Sequence, residues 1–251
     1  MTTDGYLALA TDYDGTIATH GVVDPDTLAA LARAREAGLK LLLVSGRELG
    51  SLRRAFDRFE LFDSMVLENG AVLYEPSSSR ERPLRDPPPD MLIRALQAHG
   101  VEPLSVGRVI LATREPHATT VLETIRQLGL EYQLIFNKGA VMVLPAGVTK
   151  ASGLEAAFTE LSLDPSSAIA VGDAENDDAL LALCGLGAAV ANAVPALKER
   201  ADIVLAGDHG AGVAELIDRL LAGHLHPPRA RSTSTLPMTS AALAAGADRK
   251  P

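Results

Sequence analysis

Two aspartates one residue apart, Asp12 and Asp14, close the apolar run LALAT in LALATDYDGT, residues 7–16, and Gly15 and Thr16 follow at once. A buried strand has no use for two carboxylates. Either they are solvated at a strand end or they hold something positive. A second apolar run, SAIAV, ends in GDAENDDAL and brings Gly172, Asp173, Asn176, Asp177 and Asp178. A third, LKLLLV, ends in Ser45, Gly46 and Arg47, and SMVLENGAV carries Asn69 in a turn. Two carboxylates about 4 Å apart at an effective dielectric of about 20 repel by roughly 4 kcal/mol, so a cluster of three or four needs protons or a cation. Oxygen ligands without Cys or His favour a hard cation, Mg²⁺ before Ca²⁺, and Mg²⁺ held by a few carboxylates completes its shell with water and a phosphate. A metal and a phosphate substrate are expected together.

Such a cluster forms only if the strands lie in one parallel sheet, where ligands bind beyond the carboxyl ends of the strands. YLALAT reads as a strand buried on both faces. VDPDTLAALARAREAG reads as a helix with Asp24 as N-cap, Pro25 at the first helical position and Gly38 after its end. LKLLLV is a strand, ELGSLRRAFDRF a helix, and SMVLENGAVLYE a strand, turn and strand. The alternation predicts an α/β fold, a doubly wound, Rossmann-like parallel sheet. From Pro76, SSSRERPLRDPPPD reads as a linker. The stretch 80–147 then reads as a small inserted α/β domain: a helix (MLIRALQAHG), a strand (RVILAT), a helix (HATTVLETIRQLG) and a hairpin, YQLIF-NKG-AVMVLP. The core is expected to be residues 1–79 and 148–225, resuming with a helix (TKASGLEAAFTELSL), SAIAVGD, a helix (ENDDALLALCG), the strands LGAAVAN and DIVLA and the helix GVAELIDRLLAG. Residues 226–251 read as a disordered tail or a linker to a missing C-terminal domain or partner.

The chain has 251 residues and a net charge of −9. That balance argues against nucleic acid as a partner. No apolar run approaches the roughly 20 residues that cross a bilayer, so no membrane partner is expected. The single cysteine, Cys184, reads as a small buried residue. The first residues show no basic-then-apolar leader, and the cytoplasm is the expected location.

Taken in order, TDYDGT, VSGR, GVTK and GDAENDDAL resemble the four motifs of the haloacid dehalogenase-like phosphatases. The insertion between VSGR and GVTK resembles the type IIB branch, whose cap lies between its second and third motifs. ENGA and DHGAGVAELI resemble that branch too; Ala151 departs from it where a Gly often follows the lysine. The resemblance implies an Mg²⁺-dependent phosphatase acting on a small phosphorylated metabolite, such as a sugar phosphate or phosphoglycolate, through an aspartyl-phosphate. It implies Asp12 as nucleophile, Asp14 as general acid and then base, and Ser45, Gly46 and Lys150 around the substrate phosphate. Asp12, Asp173, Asp177 and the backbone carbonyl of Asp14 would hold the metal, with Asp177 acting directly or through water. Arg47, Asn69 and Asn176 are further candidates for substrate contact. In the cap, Arg114, His117 and Lys138 are candidate contacts for an anionic substrate on charge alone.

Other readings share parts of this pattern. A phosphotransferase or mutase would differ only in what accepts the phosphoryl group. A signalling module that keeps its phosphoryl group also uses acidic pairs, a Ser or Thr and a Lys, but has neither the second acid nor the insertion. A dinucleotide-binding domain is disfavoured because no G-x-G-x-x-G follows the first strand.

Overall fold

The structure, a computed structural model, describes residues 5–137 and 139–225. The expected tail or linker, 226–251, and Lys138 lie outside the described residues. The chain runs β1 (Ala8–Asp12), α1 (Pro25–Glu36), β2 (Lys40–Val44), α2 (Leu49–Ala55), β3 (Ser64–Leu67), β4 (Val72–Glu75) and β5 (Arg80–Pro83). Next come α3 (Asp90–Ala98), β6 (Ser105–Val106), β7 (Leu111–Arg114), α4 (Ala118–Gln127), β8 (Tyr132–Asn137) and β9 (Ala140–Pro145). It closes with α5 (Lys150–Leu161), β10 (Ala168–Gly172), α6 (Asp178–Leu183), β11 (Leu186–Ala189), α7 (Pro195–Arg200), β12 (Ile203–Val204) and α8 (His209–Leu221).

The main sheet has the order β12-β11-β10-β1-β2-β3-β4-β5. It is parallel from β12 to β3, and β4 and β5 are antiparallel. From β1 the chain winds outward through β2 and β3, then returns to β10 on the other side of β1. This is a doubly wound sheet with its switch point between β1 and β10, where a crevice opens at the carboxyl ends. All five residues of β1 are buried, and Ala10 lies beside Ala170 and Leu42 on its two neighbours. Ala8 and Ala10 of β1 face the same side of the sheet as their partners Ala168 and Ala170 of β10, and these small side chains leave room for close packing on that side.

A second, antiparallel sheet, β6-β7-β9-β8, comes in the chain between Ser45, which follows β2, and the helix that carries Lys150. β9 shows the two-residue period of a strand covered on both faces. Met142 and Leu144 join the main core, and Val143 joins a separate cluster with Leu92, Leu96, Val121 and Ile125 of α3 and α4.

Two local expectations differ from the structure, and two short elements were not expected. The segment read as a linker from Pro76 contains β5, which pairs with β4 along Arg80–Pro83, so residues 80–83 belong to the edge of the main sheet and not to the insertion. Its Arg, Glu and Pro residues are those a solvated edge strand tolerates. The helix expected through Phe59 stops at Ala55, where Phe56 turns extended and buries its ring. The short helix α7, with Pro195 in its first turn, and the two-residue strand β6 had too few residues to show a period. No helix among the described residues is long and apolar enough to cross a membrane.

Candidate active site

Asp12 is the last residue of β1, and Asp173 follows the last residue of β10, so the switch point brings them together. Lys150 arrives from the opposite direction. Thr149 caps α5 by accepting the Ser152 N–H, and the Ser152 hydroxyl oxygen accepts the Thr149 N–H, a reciprocal cap that fixes the first turn. Lys150, the first helical residue, turns its side chain inward, 3% exposed. Its Nζ donates to Oδ1 of Asp12 and to Oδ1 of Asp177, each at 2.6 Å. Oδ2 of Asp177 accepts the backbone N–H groups of Asp173 and Ala174, at 3.0 and 3.1 Å. This return of Asp177 onto its own loop requires Gly172, since a Cβ there would lie 2.6 Å from the Asp177 carboxylate.

Ligand oxygens of Asp12, Asp173 and Asp177 all lie within 4.8 Å of one another, and all three residues are buried. One ammonium does not balance three carboxylates. Burial pushes Asp12 up to about 7; Lys150 opposes this, and the charges of Asp177 and Asp173 reinforce it. Burial also works against the Lys150 ammonium, but Asp12 and Asp177 outweigh it and hold its pKa above the usual lysine range. The donor set is all oxygen and short of positive charge, which fits a divalent hard cation. Thr16 donates from Oγ1 to Oδ1 of Asp173 at 3.3 Å, instead of bonding within its own turn.

The Asp14 side chain stands apart from this triad, paired with Arg47. Ser45 is buried; its Oγ accepts the Arg47 N–H at 3.1 Å, which leaves the hydroxyl hydrogen to donate elsewhere. Asn69 is fully buried in a left-handed conformation, φ 59°. Its Oδ1 accepts from Asn176 Nδ2 at 3.3 Å, and its own Nδ2 has no partner among the described residues. Asp178, outside the triad, pairs with Arg200 at 2.7 Å.

A cavity of about 900 Å³ opens over the crevice. Of the sequence candidates, Asp12, Asp14, Gly46, Arg47 and Asp173 line it, whereas Ser45, Asn69, Lys150, Asn176 and Asp177 do not. Its far wall is Ser105, Ile110, Ala112, Ala140 and Met142 of the insertion. Arg114 and His117, picked on charge, are not in that wall, and His117 Nε2 instead meets the Glu102 carbonyl at 2.9 Å. Charge alone could not say which face of the second sheet they occupy.

Two residues here escaped the sequence reading. Asn192 donates from Nδ2 to the Gly15 carbonyl at 2.8 Å and accepts the His209 N–H at 2.7 Å, tying the loop after β1 to the start of α8. Its only sign in the sequence was its place at the polar end of the apolar run LGAAVAN. Glu68 is buried, and its carboxylate accepts the N–H groups of Arg108, Val109 and Ile110 at 2.8–3.1 Å.

The sequence profile of the haloacid dehalogenase-like hydrolases matches residues 9–89 and 92–217. The chain belongs to that family. A Methanothermobacter thermautotrophicus protein named phosphoglycolate phosphatase is 32% identical to this hydrolase over 228 residues, covering 85% of this chain and 98% of that one. Phosphoglycolate phosphatase 2 of Saccharolobus solfataricus is 31% identical over 231 residues, covering 87% and 94%. Among solved structures, a haloacid dehalogenase-like hydrolase from Bacteroides thetaiotaomicron superposes with a TM-score of 0.72 at 19% identity, over 86% of this chain and 99% of that one. That likeness extends the family assignment to the fold, with its central parallel sheet and added second sheet.

Proposed function

We propose that this hydrolase is a cytoplasmic, Mg²⁺-dependent phosphatase that hydrolyses small phosphomonoesters through a phosphorylated Asp12. The observation that carries the reading is the Lys150 ammonium held 2.6 Å from both Asp12 and Asp177 at the switch point, with Asp173 within one ion's reach. The relatives named phosphoglycolate phosphatases make 2-phosphoglycolate the first substrate to test.

Asp12 and Asp173 would hold the metal directly, with the Asp14 carbonyl, and Asp177 through water, since both its oxygens already accept hydrogen bonds. Mg²⁺ held there would supply positive charge to the phosphoryl group. Lys150 fixes Asp12 through Oδ1, so the carboxylate is oriented before substrate arrives. An Asp12 oxygen attacks phosphorus; the bond from phosphorus to the alkoxide breaks, and Asp14 gives that alkoxide its proton. Water then attacks the phosphorus of the aspartyl-phosphate and loses a proton to Asp14, and the bond to Asp12 breaks to restore the carboxylate. Ser45 O–H and Asn69 Nδ2, which has no partner among the described residues, would be donors for the phosphoryl oxygens. Fixed donors and charge of this kind supply most of the rate in phosphoryl transfer.

The test is phosphate release from 2-phosphoglycolate, phosphoglycerates, sugar phosphates and nucleotides, with Mg²⁺ and with EDTA. Release that requires Mg²⁺ supports the reading. No release from any of them, or release undiminished by EDTA, contradicts it, and transfer of the phosphoryl group to an added sugar would make the protein a phosphotransferase.

A further inference from the structure

The carboxylate proposed to move protons is not loose in the cavity. Arg47 donates to it twice, from Nε to Oδ2 and from Nη2 to Oδ1 of Asp14, both at 2.6 Å. Arg47 is itself held on three sides. Its guanidinium lies 5.2 Å from the centre of the Tyr13 ring, and the Tyr13 hydroxyl donates to the Gly21 carbonyl at 2.8 Å. Its backbone N–H goes to Ser45 Oγ at 3.1 Å, and its carbonyl accepts the Glu68 N–H at 3.1 Å. The two side chains are 28% and 29% exposed, so the pair sits at the edge of water, where an ion pair adds little to stability. What a two-pronged fork over a ring does supply is geometry: two parallel bonds fix the plane of the carboxylate. A carboxylate has about four acceptor positions, so the fork leaves room for the proton Asp14 has to carry.

We propose that Arg47 is a positioning residue for proton transfer: it sets the orientation of Asp14 towards the leaving oxygen, and it does not serve as a binding group for the phosphoryl. This rests on the phosphatase reading and on Asp14 as its acid and base. In the first step the proton passes from Asp14 to the departing alkoxide as the new bond to Asp12 forms. In the second it passes from water to Asp14 as that bond breaks. Arg47 exchanges no proton in either.

The test compares wild type, Arg47→Met and Arg47→Lys on 2-phosphoglycolate and on 4-nitrophenyl phosphate, whose leaving phenolate needs no proton. With 2-phosphoglycolate, kcat is expected to fall about 10²-fold, within the usual range for general acid catalysis, while KM stays nearly unchanged. With the aryl ester, rapid mixing is expected to give a nitrophenolate burst at the wild-type rate and then a slow steady state, because only the second step needs Asp14. Lysine keeps the charge and loses the fork, so Arg47→Lys is expected to recover little. Adding Arg47→Met to Asp14→Asn is expected to cost no further activity, since one residue acts through the other. A rise in KM with kcat kept, or a burst slowed as much as the alkyl ester, would overturn the proposal in favour of direct substrate contact. Variants with wild-type kinetics would overturn it outright. A wild type that releases phosphate from neither ester would remove the phosphatase reading beneath it.

Discussion

On Asp12 burial and the Lys150 charge pull in opposite directions. Its pKa, pushed up to about 7 first by burial and despite Lys150, lies above that of an unfolded aspartate. A carboxyl raised in this way contributes stability that is present below about pH 4 and lost as pH rises through about 7. The metal-free protein is therefore expected to lose up to a few kcal/mol across that window on Asp12's account, and a dication that binds the ionised form reverses the loss. Thermal melts should show a larger gain from Mg²⁺ at about pH 7.5 than at about pH 5.5, and Asp12→Asn should flatten the metal-free profile. That variant should keep its fold by circular dichroism and lose at least about 10³-fold in kcat, as when a covalent nucleophile is removed. The acidic residues were legible in the sequence because carboxylates ending two apolar strands of one parallel sheet gather more negative charge than a strand end holds without protons or a cation. That Ser45, Asn69 and Asn176 stand outside the cavity lining was not, because turn residues in a sequence carry no sign of which side of a sheet end they face.

The elements explain why Lys150 arrives where it does. The turn Glu68–Gly70 after β3 packs directly on the start of α5, and a Cβ on Gly70, at φ +107°, would lie 1.8 Å from the Thr149 carbonyl. Gly70→Ala should thus push away the turn that carries Lys150. We expect a loss of about 3 kcal/mol, combining left-handed strain with overpacking, or about 6–12 °C in Tm for a chain of this size, with kcat falling alongside. A variant with unchanged melting and activity would show that this contact does not fix α5. The helices α1 and α5 and the strands β1, β2 and β10 were legible from caps and apolar runs. Asp24 does accept the Thr27 N–H, with Pro25 in the first turn of α1. β5 was hidden because an edge strand of Arg, Glu and Pro is chemically indistinguishable from a linker until its partner is known.

At the scale of the molecule, the second sheet roofs the crevice, and Glu68 joins the two. Its neighbours in sequence stand at the site, and its carboxylate receives three N–H groups from residues 108–110 of the insertion. The sequence showed the turn and the insertion but could not show a contact 40 residues away. Glu68→Gln keeps the shape and weakens charge-assisted bonds, so hydrogen exchange at amides 108–110 should speed up by about 10- to 100-fold; unchanged exchange would remove Glu68 as the anchor of that loop. All these effects matter to function only if Asp12 takes up the phosphoryl group. The most direct measurement is mass spectrometry of the protein quenched in acid during a single turnover with 2-phosphoglycolate and Mg²⁺. The account expects a transient phosphoryl increment on the peptide that carries Asp12, absent with EDTA and in Asp12→Asn. Product formed at full rate with no phosphorylated Asp12 at any time, or an increment on another residue, would contradict it.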